Sequence, residues 1–168
     1  MVTTGWSRGP ALLRTSAETP AEGMAAIFVS SNYFSTVGVR LPIGPGFTPV
    51  DDASVARAEA VIGHRMWQVR FGSDPAIIGR TVIVDRAEYV VVGVGPERFR
   101  GHVNGLDDSY YQLWLPLSRH PRLKESATVR GNREVSWVRV LGRLSCGTTL
   151  AQADARVQSL VAGLAARY

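Results

Sequence analysis

Apolar positions in this chain fall into short, dense runs punctuated by glycine and proline, with one long helical stripe near the end. The runs Ala25–Ser30 (AAIFVS), Ala60–Ile62, Thr81–Val84 and Tyr89–Val94 are rich in β-branched or aromatic residues. They are too short for helices and predict strands. Asp85-Arg86-Ala87 joins the last two as a hairpin, a weaker turn signal than Asn-Gly. Tyr111–Leu117 (YQLWLPL) predicts a further strand, and Pro116 places it at an edge or near its end. Val135–Leu144 alternates. Val138, Val140 and Leu144 share the face expected to be buried, with Arg139 and Arg143 on the wet side.

The helical signals are fewer. Ser31 and Asn32 are good caps for a short helix over Tyr33–Val37, closed by Gly38. His64–Phe71 predicts a second helix that stops at Gly72. Asp74-Pro75 restarts the chain, and Gly79 breaks it again. Thr149 and Gln152 stand at capping-box spacing. Leu150, Ala153, Val157, Leu160, Val161, Leu164 and Tyr168 then fall on one stripe, so the last helix is expected to pack on a sheet. Val39–Ile43 reads as extended, Gly44-Pro45-Gly46 as a turn, and Phe47 as an anchor for the loop beyond it. Asp51-Asp52 reads as a turn cap rather than a cation site, because no further oxygen ligands follow at EF-hand spacing. Residues 1–24, rich in Thr, Ser, Gly and Pro without periodicity, are expected to be irregular.

At 168 residues and 45% hydrophobic, the chain suits one domain or two small lobes sharing a core. Its net charge of +5 comes mostly from dispersed arginines. The exception is a basic loop carrying Arg119, Arg122, Lys124, Arg130 and Arg133 against Glu125. Such a loop suits an acidic partner or anionic head groups, or is a solvated connection. No aromatic residue interleaves it, so no nucleic-acid partner is expected. Cys146 is the one cysteine, which excludes an internal disulfide and a CxxC metal pair. No run approaches the roughly 18 apolar residues of a membrane span. The N-terminus lacks the basic start and apolar core of a signal peptide, so the chain as written reads as soluble.

The search for chemistry finds scaffold. His64, His102 and His120 share no ligand spacing. Gly93-Val94-Gly95 meets Pro96 at once and opens no helix, unlike a dinucleotide loop. Glu59, Asp85, Glu88, Glu97, Asp107 and Asp108 show no pairing for acid–base work, and Ser30-Ser31 lacks the nucleophile elbow. Trp67, Trp114 and Trp137 are expected in the core, with Trp6 unassigned. The expectation is a non-enzyme with no catalytic, cofactor or metal residues.

Several segments, taken together, resemble the MacB-like periplasmic core domain of ABC transporter permeases, most closely that of the large duplicated orphan permeases. They are Phe28-Val29-Ser30 with Asn32-Tyr33-Phe34, Val37-Gly38-Val39, Gly44 with Phe47-Thr48, Ala60-Val61-Ile62 and Trp67. Arg70-Phe71-Gly72-Ser73-Asp74-Pro75 follows, leading to Ile78-Gly79-Arg80. Tyr89, Val91-Val92-Gly93-Val94, Phe99, Trp114-Leu115-Pro116-Leu117, Gly142-Arg143-Leu144 and Gly147 with Thr149-Leu150-Ala151-Gln152-Ala153 complete the resemblance, over roughly residues 26–168. Pro45, Cys146 and Asp85-Arg86 depart from it, all in loops. Family members also carry a membrane helix and further porter-lobe elements before the equivalent of Phe28. Accordingly, the chain reads as a permease fragment or a stand-alone remnant, with Ala25–Ser30 or Val135–Leu144 as a free edge.

The resemblance implies an α+β fold with a mixed sheet. A porter-like lobe (26–58 and 130–168) would hold an inserted, β-rich, sabre-like lobe (59–118) and the C-terminal amphipathic helix. Residues 1–25 would be an irregular lead-in and 119–129 the basic loop. The resemblance also implies no cofactor and no catalysis. The domain would lie on the periplasmic side of the membrane. It would pass motion from a cytoplasmic ABC ATPase, through the permease's own transmembrane helices, to substrates or a periplasmic partner. The residues singled out are structural: Gly38, Phe71, Gly72, Asp74, Pro75, Gly79 and Gly93, with Gly142 and Gly147 setting the last strand-to-helix turn. Arg119, Arg122, Lys124, Arg130 and Arg133 are the candidate partner contacts. The alternative is a soluble module that binds an acidic partner through residues 119–133. A hydrolase would require a polar cleft near His64, His102 or Cys146.

Overall fold

The computed structural model describes residues 1–49, 57–101, 113–125 and 136–167. The chain opens with β1 (Val2–Arg14), β2 (Glu22–Val29) and a short helix, α1 (Tyr33–Val37). Then come β3 (Glu59–Ile62), α2 (His64–Phe71), β4 (Thr81–Val84), β5 (Ala87–Val94) and β6 (Leu113–Pro116). A four-residue helix, α3 (Arg122–Glu125), precedes β7 (Arg139–Arg143) and the 16-residue helix α4 (Leu150–Ala165).

The strands form one mixed sheet in the order β2-β6-β3-β5-β4-β1-β7, and β1 pairs again with β2. Strands β1, β2, β6, β3, β5 and β4 therefore close into a ring, with β7 outside it. The β2–β6 and β3–β5 pairs are parallel and the others antiparallel. One long strand makes this possible. Trp6–Leu13 of β1 lies against β2, Leu13-Arg14 meets Val84-Ile83 of β4 to close the ring, and Val2–Trp6 carries β7.

This corrects the expectation of an irregular N-terminal segment. Gly5, Gly9 and Pro10 lower strand propensity, yet the strand uses Gly9 and Pro10. A Cβ on Gly9 would lie 3.0 Å from Phe28 Cε2, so any larger residue there would crowd that ring. The N–H of Leu12 points away from β2, to Asp85 Oδ1 at 2.9 Å. By the two-residue period, the Pro10 nitrogen faces the same open edge, where no ladder bond is lost.

Along β2, β3, β5 and β6, neighbouring residues enter two different clusters. One draws on all six strands, with Leu13, Phe28, Ile62, Val82, Val91 and Leu113 among its members, and so fills the ring. Met66 and Phe71 of α2, with Ile77, complete it. The other lies outside, where Trp6, Ile27, Val29, Val61 and Trp114 meet Tyr33, Phe34 and Phe47 of α1 and its loop. Both faces of β2, β3 and β6 are thus apolar, which explains their continuous hydrophobic runs. Trp114, expected in the core, is fully buried, and the unassigned Trp6 is buried as well.

Both predicted short helices fall on their expected residues, and Gly38 and Gly72 close them in left-handed conformations. The β4–β5 hairpin turns on Asp85 (φ +49°) and Arg86 (φ +69°). Pro116 ends β6, which lies between β2 and β3 rather than at an edge. Val39–Ile43 forms no strand, only a single bridge from Ile43 to Val94. Span 59–118 supplies β3 to β6, which share the ring with β1 and β2.

Two further expectations are corrected. In β7 the faces are exchanged: Val140 is 70% exposed while Leu141 packs against the outer cluster. Arg139 and Arg143 share the Leu141 side, because Trp6 and the end of α1 offer them partners. Arg139 lies 5.3 Å from the Trp6 ring centre, and Arg143 Nε donates to Thr36 O at 2.6 Å. The second correction concerns α4. It has the predicted capping box between Thr149 and Gln152, but no residue in it is buried. Leu150, Val157, Leu160, Val161 and Leu164 are all exposed, so its apolar stripe packs on no sheet among the described residues.

Candidate functional site

The turn after α2 gathers most of the residues singled out as structural. Gly72 and Ser73 both take φ of +58°, folding the chain back under α2. Asp74 Oδ1 accepts the Ala76 N–H at 2.8 Å, and its Oδ2 lies 3.2 Å from Arg80. Pro75 starts a 3-10 turn, whose fixed φ suits a first helical position. Trp67 Nε1 donates to Asp74 O at 2.8 Å, and Arg80 sits 5.8 Å from the Phe71 ring centre. Gly79 (φ +90°) donates its N–H to Val91 O at 2.9 Å, tying the turn to β5. Every polar group of Asp74 is thereby turned toward the chain itself.

The other glycines scatter. Gly38 ends α1 beside the Arg143 guanidinium, and Gly93 lies in β5 against Leu41. Gly147 (φ +79°) stands at the turn into α4. Gly142 does not. It sits inside β7 opposite Thr3, so its expected role in that turn is not what the structure assigns.

Of the basic residues, Arg119 ends a 3-10 turn (Leu117–Arg119) and Arg122 opens α3, so this part of the expected loop is folded. Arg130, Arg133 and the side chain of Lys124 lie outside the described residues, as do Asp51-Asp52, His102, Asp107-Asp108 and Tyr168. Trp137 lies just before β7 rather than within a regular element.

His120, expected in a polar loop, is only 3% exposed and closes one end of the ring. Its ring meets Phe28 edge-on at 4.6 Å and Trp137 at 5.1 Å. Nε2 lies 3.3 Å from Ser7 Oγ and 3.2 Å from Arg8 O, and Nδ1 accepts the Arg122 N–H at 3.2 Å. Ser7 is 6% exposed and donates its hydroxyl to Trp137 O. This serine–histidine pair has its proton committed to a carbonyl and no access for a substrate. Nothing local in the sequence marks it, because Ser7 and His120 are 113 residues apart.

Other buried polar groups divide: Thr4 Oγ1, Trp114 Nε1 and Ser118 Oγ have no hydrogen-bond partner among the described residues, whereas Glu59 is fully engaged. Both oxygens of Glu59, 7% exposed, take bonds from Thr48: from N–H at 2.8 Å and from Oγ1 at 2.6 Å. Burial pushes the Tyr89 hydroxyl above its ordinary value. Arg70 pairs with Glu22 and, by hydrogen bond and then charge, lowers that carboxyl. His64 meets the Trp67 ring edge-on at 5.4 Å, and Cys146 is exposed. A shallow groove of about 460 Å³ beside α1 is lined by Phe34, Arg40, Leu41, Pro45 and Phe47 among others. Among the described residues no three His, Cys, Asp or Glu side chains converge as metal ligands. No described helix is long and apolar enough to cross a membrane.

The comparisons give the fold its context. No curated protein matches the sequence. The structure is similar to the periplasmic region of MacB from Actinobacillus actinomycetemcomitans, at TM-score 0.66 and 18% identity, over 98% of this chain and 67% of that one. It is also similar to the extracellular domain of the noncanonic ABC-type transporter YknZ from Gram-positive bacteria, at TM-score 0.58 and 17% identity, over 91% of this chain and 68% of that one. A domain of a putative permease protein from Porphyromonas gingivalis aligns at TM-score 0.61 and 13% identity, over 95% of this chain and 68% of that one. At these identities the structures speak for the fold. The family described as MacB-like periplasmic core domain matches residues 3–160, nearly the whole chain, including the β1 segment. This chain belongs to the MacB-like periplasmic core domain family.

Proposed function

We propose that this chain is the non-catalytic extracytoplasmic part of an ABC-type permease, coupling ATP-driven movement to substrate or partner handling outside the membrane. The observation that carries the reading is the family match over residues 3–160 on a fold shared with two transporter domains. The interior supports it: the ring is filled with apolar side chains, and the buried Ser7–His120 and Thr48–Glu59 pairs are engaged in holding the chain together. In this reading the ATPase acts on the domain only through the permease's own transmembrane helices.

The test is to tag the protein at its native locus, fractionate the cells and purify it in mild detergent. Recovery from membranes together with an ABC ATPase supports the proposal. A soluble protein with no ATPase attached refutes it. In the second case, salt-sensitive binding of an acidic partner through Arg119 and Arg122 becomes the reading to pursue.

A further inference from the structure

We propose that His120 is a proton-operated latch that holds α3 and the approach to β7 against the end of the ring. Two stretches that are distant in sequence meet on this one imidazole. On one side, Nδ1 accepts the Arg122 N–H. A backbone N–H can only donate, so Nδ1 carries no proton. On the other side, Nε2 faces Arg8 O, which can only accept, so the proton sits on Nε2. Ser7 Oγ, beside Nε2, gives its own proton to Trp137 O and draws in residues 136–138. The neutral Nε2–H form is therefore the one that satisfies Arg8, Ser7, Trp137 and Arg122 together.

Protonation places a second N–H on Nδ1, directly facing the Arg122 N–H. Two donors then oppose each other where a bond stood. The charged side chains described on the packed elements are Arg8 on β1, Arg119 on the 3-10 turn, Arg122 on α3 and Arg139 on β7. Arg14 and Glu22 lie at the far ends of β1 and β2, Glu22 paired with Arg70. Protonation therefore breaks the bond at Nδ1 that the neutral form makes. Acid would release residues 117–125 and 136–138, uncover Phe28, and change how Arg119 and Arg122 are presented.

Nuclear magnetic resonance on the intact chain tests this, since it contains three histidines. On titration from about pH 8 to about pH 5, the amides of Arg122, Leu123 and Trp137 shift with the same midpoint as the His120 imidazole. Exchange at the Leu123 amide, which donates to His120 O, rises about tenfold after correction for intrinsic rate. His120→Gln offers the same acceptor and donor without titrating, and keeps those amides in place across the range. Either of two results overturns the latch: His120 titrating with no change at Arg122 or Trp137, or the same transition persisting in His120→Gln. Should His120→Gln not fold, His64→Gln and His102→Gln assign the imidazole by elimination, and the wild-type titration decides.

Discussion

The seam where β4 meets β1 consists of two residue pairs, Leu13–Val84 and Arg14–Ile83, and Asp85 supports it from the adjoining turn. Its N–H donates to Leu12 O at 3.0 Å, and its Oδ1 accepts the Leu12 N–H at 2.9 Å. It does this at φ +49°, a conformation that Asp tolerates better than most residues. Asp85→Ala removes the charge-assisted bond, worth about 1 kcal/mol at this exposed site, since water re-solvates the freed N–H. Alanine in the left-handed region costs about a further 1 kcal/mol. The sum, about 2 kcal/mol, lowers the melting temperature of a chain this size by about 4–8 °C. Asp85→Asn keeps the Oδ1 acceptor and the backbone tolerance, and loses less than about 1 kcal/mol. Urea unfolding followed by circular dichroism measures both variants, and hydrogen exchange at Leu12 reports the seam directly. An Asp85→Ala protein within about 0.5 kcal/mol of wild type refutes the reasoning. So does an Asp85→Asn protein as unstable as the alanine variant.

Glu59→Gln leaves one Thr48 donor facing an amide nitrogen and costs about 1–3 kcal/mol by urea unfolding. Thr149→Ala breaks the capping box and costs α4 about 1 kcal/mol, read as faster exchange in its first turn with the ring unaffected. Leu160→Gln with Leu164→Gln changes stability by less than about 0.5 kcal/mol and improves solubility; a large loss would show that the α4 stripe is covered in solution. Tyr89 has its folded-state pKa raised above the ordinary 10.0 by burial, so the unfolded chain ionises first. Stability is full below that value and falls as pH rises toward the folded one. Tyr89→Phe removes this part of the alkaline loss, as melting curves across the alkaline range will show.

The short helices were legible because glycine ends both of them, and the β4–β5 hairpin because β-branched residues flank a turn. The long strand was not. Gly5, Gly9 and Pro10 carry the local signature of a loop, and only contact with Phe28 and an open edge at Pro10 make them strand residues. The faces of β7 were misread because alternation assigns valines inward, whereas Trp6 and Thr36 O favour the arginine side. The α4 stripe was read correctly as a stripe, but amphipathicity says nothing of what lies opposite. Among candidate residues, the local turn around Asp74 could be read from spacing. The His120 network joins partners more than a hundred positions apart and left no local trace.

The double engagement of β1 also has a mechanical meaning. Its eight pairs with β2 run beside the five that hold β7. A pull along the strand axis from the α4 side loads each set of hydrogen bonds in shear, so all bonds of a set share the force at once. A pull across the strand loads them one after another, like a zip. The β7–α4 arm should therefore resist traction along β1 and yield to leverage across it, peeling β7 away while the ring stays shut. A domain built this way would be stiff in one direction and compliant in another.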